Sequence, residues 1–160
     1  MSESVCSGGI AGIGQLPMLD LPAVSGDRLR SWDFRSRSHL VLLLLSGADS
    51  GLQMLAAQRH LASIRAENAE LVIVSAHAPE PHLHGPVPSN RIAVDPELAA
   101  YRALGAMSGL LLVANKNGTI FWRQDLGLAL PDFKEALSWL AYMNIIEPEC
   151  GCCVPAWPVE

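Results

Sequence analysis

Hydrophobic positions fall into short runs separated by polar and turn-forming stretches, and the spacing inside each run predicts its element. Leu40 to Leu45 is apolar without alternation, as in a strand covered on both faces, and Leu71-Val72-Ile73-Val74 repeats the pattern. Between them Met54, Ala57, Leu61 and Ile64 recur at i, i+3, i+7 and i+10, with Gln58, Arg59, Arg65 and Glu67 opposite. This predicts an amphipathic helix starting at Ser50, with that serine as its N-cap. Strand, helix and strand joined by short links imply a parallel pair with a right-handed crossover, so the sheet is of α/β character.

Upstream, residues 1–14 are rich in Ser and Gly without periodicity and read as a flexible leader. Leu16-Pro17-Met18-Leu19-Asp20-Leu21-Pro22 suits an edge segment turning at Ser25-Gly26-Asp27, and Ser31-Trp32-Asp33-Phe34 a short turn. Downstream, the proline- and histidine-rich residues 76–90 predict a long loop, followed by a short strand at Arg91 to Val94. Asp95-Pro96-Glu97 then supplies a cap, a first-turn proline and an acidic first turn for a helix running to about Gly105. Leu110 to Ala114 and Thr119 to Arg123 flank Asn115-Lys116-Asn117-Gly118, whose Asn-Gly pair predicts a β-hairpin. A last helix is expected over Pro131 to Asn144, burying Phe133, Leu137, Leu140 and Ala141. Residues 147–160 hold too much Pro and Gly for a helix or central strand, which leaves one domain over residues 15–146 and a tail.

Composition narrows the class. A chain of 160 residues, 50% of them hydrophobic and 17% charged, describes one globular core; at this length folding buries roughly 70% of the unfolded surface, so no disulfide or metal is needed to hold it. The formal net charge is −5 and the basic residues are scattered, which argues against nucleic acid and anionic membrane as partners. The longest aliphatic run has six residues, far short of the roughly 20 of a membrane helix. No basic start followed by an apolar stretch marks a secretory signal, so a cytoplasmic location is expected. Cys150, Cys152 and Cys153 crowd together while Cys6 stands apart, unlike a secreted disulfide framework.

This order resembles the thioredoxin fold, and within it the redoxin branch of alkyl hydroperoxide reductase/thiol-specific antioxidant proteins, the peroxiredoxins. The residues that carry the resemblance are Leu16-Pro-Met-Leu-Asp-Leu-Pro22 with Gly26 and Trp32-Asp-Phe34, Leu40 to Leu45 followed by Ser46-Gly47-Ala48, Asp95 to Tyr101, and Leu111 to Gly118. It covers residues 15 to 145 and implies a three-layer sandwich with a mixed central sheet between helices, followed here by a cysteine-rich tail. It also implies thiol-disulfide or peroxide chemistry at a cysteine starting the helix after the first central strand, where the helix N-terminus and nearby cations favour thiolate. By this alignment Ser50 and Gln53 occupy the two cysteine positions, and Gly109 that of the fold's usual cis-proline. A serine hydroxyl cannot pass through sulfenic acid or disulfide, so no catalytic residue stands at the usual site.

The remaining chemistry is spread along the chain. Ser50 lacks an assignable base and oxyanion site and reads as a helix cap. Cys150-Gly-Cys152-Cys153 is the one dense group of reactive side chains, open to three readings: a labile redox disulfide, a zinc or other soft-metal site, or a packed tail without reactivity. A fourth metal ligand would come from His77, His82, His84, Cys6 or another chain; His82 and His84 project the same way if their segment is extended. His39 and His60 are isolated and receive no role. Met107, Trp122, Trp139 and Tyr142 fall where core or interface packing is expected, whereas Trp157, between prolines, needs a surface to dock on, its own domain or a dimer mate before a foreign protein. Two functions are carried forward: a redoxin-type oxidoreductase with its thiols in the tail, and a non-catalytic module, in which the loop near Ser50 and Gly109 holds a partner segment.

Overall fold

Central strands that are apolar at every position need cover on two sides, and the computed structural model, which describes residues 14–47 and 50–146, supplies it. In chain order the elements are β1 (Gly14–Gln15), β2 (Asp20–Pro22), β3 (Arg28–Arg30), β4 (His39–Leu44), α1 (Ser50–Ala66), β5 (Ala69–Ser75), β6 (Ile92–Val94), α2 (Ala99–Leu104), β7 (Leu110–Ala114), β8 (Thr119–Asp125) and α3 (Phe133–Ile146). Six strands form one sheet in the order β1-β8-β7-β4-β5-β6, and β2 and β3 pair separately. β4 runs parallel to β5, and β5 to β6, whereas β7 and β8 join antiparallel.

Side chains alternate across this sheet. Leu40, Leu42 and Leu44 pack with Leu21, Leu29, Phe34, Tyr101 and Leu104 from the β2–β3 hairpin, the turn after it and α2. Val41, Leu43 and Leu45 pack with Met54, Ala57, Leu61 and Ile64 of α1 and with Phe133, Ala136, Leu140 and Met143 of α3. Each fully buried aliphatic side chain contributes roughly 1.5–3 kcal/mol, so β4 is a main source of stability on both sides at once. The β7–β8 hairpin forms where expected: the Asn115 side-chain oxygen accepts from the Asn117 and Thr119 amides, and Gly118 takes φ +83°.

Several expectations shift in detail. α1 takes Ser50 as its first residue rather than as the cap before it. α2 starts at Ala99, not near Asp95, because Leu98 adopts a left-handed conformation (φ 58°) that interrupts the helix. Asp95 still caps it from further back, its buried carboxylate accepting from the Ala99 and Ala100 amides at 2.9 and 2.8 Å. In α3 the buried positions are Phe133, Ala136, Leu140 and Met143; Leu137 and Ala141 are only half-buried, since small Ala136 and pliant Met143 let the helix rest closely on the sheet. Met107 lies in the turn between α2 and β7 and is 62% exposed, so it belongs neither to an element nor to the core. Residues 76–90 form the long loop but contain two short 3-10 turns, Pro81–Leu83 and, at its end, Ser89–Arg91.

The sheet thus has two poles. At one lie the carboxyl ends of β4 and β5 together with the start of β7, as the pairing of Leu44 with Val74 and Leu110 requires. At the other lie His39, Ala69 and Ala114. α3 finishes at this second pole: His39 Nε2 lies 2.9 Å from Asn144 Oδ1, and Asn144 Nδ2 donates to the Glu67 carbonyl at 2.8 Å. The leader through residue 13, the cysteine tail and Trp157 lie outside the described residues.

Candidate functional site

In an open α/β sheet, ligands bind beyond the carboxyl ends of parallel strands, where connections diverge and helix N-termini point outward. Here that place is the exit of β4. The chain leaves the sheet through Leu45, Ser46 and Gly47, and α1 begins at Ser50. An open cleft of about 360 Å³ follows, with Ser46, Ser50, Ser75, His77 and Glu80 as its polar lining. Its apolar lip comes from Met54, Leu83, Leu98 and Met107.

Two of the residues singled out in the sequence, Gln53 and Gly109, meet at Ser46, and a third, Ser50, lines the same cleft. Gln53, fully buried, accepts from the Ser46 amide through Oε1 at 2.9 Å and donates from Nε2 to the Ser46 hydroxyl at 2.7 Å. It thereby ties the first turn of α1 to the strand exit, satisfying a backbone donor that would otherwise be buried without a partner. Gly109 comes against the same residue from β7: with φ +96°, a Cβ there would stand 3.0 Å from the Leu44 carbonyl oxygen and 3.1 Å from the Ser46 nitrogen. Ser50 is half-buried on the cleft wall.

Beneath them lies Tyr101, a residue to which sequence reasoning assigned no role. Its hydroxyl is 2.7 Å from the Leu45 carbonyl, to which it donates, and 3.1 Å from that of Val74, so it braces the two strand ends that floor the cleft. Burial pushes its phenol upward from 10.0, and the nearby Asp95 charge adds to the effect, which keeps the group a neutral donor. The signal in the sequence was one tyrosine closing a run of small residues on a short helix, which by itself states no partner. Tyr101→Phe is expected to cost about 1–2 kcal/mol in urea unfolding, since a buried carbonyl loses its donor while ring packing is kept.

The loop histidines stand in different surroundings. His82 sits within the Pro81–Leu83 turn, where strand alternation does not apply; it is exposed, with Nδ1 3.3 Å from Glu80 Oε2. His84 is half-buried and its Nε2 is enclosed without a partner. Among the described residues no group of three His, Cys, Asp or Glu side chains could hold a metal ion. Cys6, Cys150, Cys152 and Cys153 lie outside the described residues, and none of the described side chains is a thiol. No described helix is long and apolar enough to cross a membrane.

No protein-family model and no curated protein sequence matches the chain. Solved structures do. The reduced 2-Cys peroxiredoxin of Plasmodium vivax is 14% identical, with a TM-score of 0.71 over 87% of this chain and 99% of its own. The thioredoxin peroxidase I of Plasmodium yoelii is 18% identical, with a TM-score of 0.68 over 94% and 100%. The mitochondrial 2-Cys peroxiredoxin of Plasmodium falciparum is 12% identical, with a TM-score of 0.66 over 89% and 99%. The likeness extends through nearly the whole of each of these chains, and with it the chain's architecture is settled as a peroxiredoxin-like thioredoxin fold.

Proposed function

We propose that this protein is a redoxin-type oxidoreductase acting on peroxides or disulfides through the thiols of Cys150, Cys152 and Cys153. The observation that carries this reading is the contrast between a peroxiredoxin-like fold, its cleft open at the start of α1, and a serine where sulfur would be needed. The only clustered sulfur in the chain follows α3. In the reaction a tail thiolate attacks the peroxide oxygen, giving a sulfenic acid and an alcohol or water. A second tail thiol displaces water to form the disulfide, and an external dithiol returns both electrons.

Reach limits where the first thiol of this centre can stand. Ile146 lies at the pole of His39, and Cys150 comes four residues later, within roughly 14 Å of it when fully extended. β4, six residues long or roughly 20 Å, spans the sheet from that pole to the exit beside the cleft, a distance that Cys152 and Cys153, six and seven residues past Ile146, can cover only when their segment is fully extended. On this reading Cys150 works near its own pole and does not refill the site beside Ser50. A homodimer is part of the reading, with the exposed Leu128 and Leu130 after β8 as apolar surface for a second copy to cover.

The exposed Met107 at the cleft mouth favours a second reading, a binding module whose cleft holds an extended partner segment without chemistry. One experiment divides the readings. Intact mass of the untagged chain is measured before and after reduction, and peroxide consumption with a dithiol reductant is followed in parallel. The redox reading expects a gain of about 2 Da on reduction and a fall in turnover of at least about tenfold in Cys150→Ser/Cys152→Ser/Cys153→Ser, with Ser50→Ala unchanged. A metal-sized mass instead points to a zinc or soft-metal tail. Equal turnover in the triple variant and the parent would sink the redox reading and leave the module.

A further inference from the structure

His39 opens β4 and is 1% exposed, yet only one of its ring nitrogens has a partner. Nε2 lies 2.9 Å from Asn144 Oδ1, which accepts from it in the neutral Nε2–H tautomer, while Asn144 Nδ2 donates to the Glu67 carbonyl at 2.8 Å and to Glu67 Oε1 at 3.1 Å. Nδ1 is buried with no hydrogen-bond partner. One asparagine therefore joins three elements: the start of β4, the end of α1 and the last turn of α3.

We propose that His39, Asn144 and Glu67 form a pH-sensitive latch that holds the last turn of α3, and with it the root of the cysteine tail, while the imidazole is neutral. Protonation creates an N–H at Nδ1 that finds no acceptor inside, together with a cation that burial disfavours. Two charged groups face the ring: Lys116 in the β7–β8 turn, which opposes the charge, and Glu67 at the end of α1, which favours it but already accepts from Asn144. The carbonyl ends of α1 and α3 would welcome a cation only if an N–H reached them, and Nδ1 has none in bonding range. The backbone of His39 stays bound to the Asn68 carbonyl at 2.9 Å, so the strand holds. The Nε2–H keeps donating to Asn144 in the cation, so the cost falls on Nδ1, and the ring meets it by swinging out to water; that movement breaks the Nε2–Asn144 bond, and the end of α3 loses its anchor.

Burial first, then Lys116, holds the His39 ring below its usual value of 6.5, against the raising influence of Asn144 and Glu67. The latch is thus whole above that pH and is lost as pH falls through the folded value, because the unfolded ring takes its proton earlier. This inference stands whether or not the tail thiols turn over substrate.

The test is hydrogen exchange of the full chain, read at the amides of residues 143–146 and corrected for intrinsic rates. Opening is expected to rise by roughly tenfold between about pH 7.5 and pH 5, and to stay flat in His39→Gln, whose neutral amide can still donate to Asn144. An equal rise in His39→Gln, or no rise in the parent, overturns the latch. Should His39→Gln fail to fold, a parent-chain NMR titration decides: the Asn144 side-chain amide signals must move with the His39 ring, and signals that stay still while the ring titrates reject the idea.

Discussion

Replacing Gln53 by alanine should lower the stability of the chain by about 3–4 kcal/mol, measured as the loss in extrapolated unfolding free energy in urea at unchanged slope. Two effects add. The Ser46 amide and hydroxyl both lose their partner on a residue that is only 6% exposed. A long side chain with no exposed surface also leaves a void beside the start of α1. Gln53→Met separates them, because its side chain fills the space but makes neither bond; an intermediate loss is expected. If alanine costs less than about 1 kcal/mol, the first turn of α1 is not held by this pair of bonds.

Gly109→Ala is expected to cost about 2–4 kcal/mol through strain at positive φ plus overlap with the strand exit. Glycine accepts φ +96° freely, whereas any side chain meets the Leu44 carbonyl oxygen at 3.0 Å, and a backbone atom in the middle of a sheet has little room to retreat. The same measurement checks it, and a matched substitution at Gly26, where φ is +95° but nothing lies within 4 Å, isolates the conformational part. A Gly109→Ala loss no larger than that at Gly26 would mean that β7 and the exit of β4 move apart readily.

How far the sequence carried depends on what each residue senses. β4 and β5 were legible because burial on both faces leaves its imprint on Leu40 to Leu44 and Leu71 to Val74 without a break. The α1 face was legible for the same reason, its four predicted residues all being buried. α2 was misplaced by three residues or so, because the left-handed turn at Leu98 comes from packing around Asp95 rather than from any glycine or asparagine at that position. α3 turned by one position, since residues of similar hydropathy at adjacent places leave its rotation to shape alone. At the site, Ser50, Gln53 and Gly109 were named through the family resemblance, but the approach of Gln53 and Gly109 to Ser46 depends on how α1 and β7 pack at the strand exit, which the motifs do not state. Tyr101 and the partners of His39 were out of sight likewise, each bond spanning more than 25 residues of chain.

Because α3 delivers the chain to the pole of His39 while the cleft opens at the other, the molecule offers two workbenches that do not share a bench top. A bulky molecule wedged beside Ser50 leaves the last turn of α3 unobstructed. Changes accumulated at one end of the sheet are therefore free of steric veto from the other.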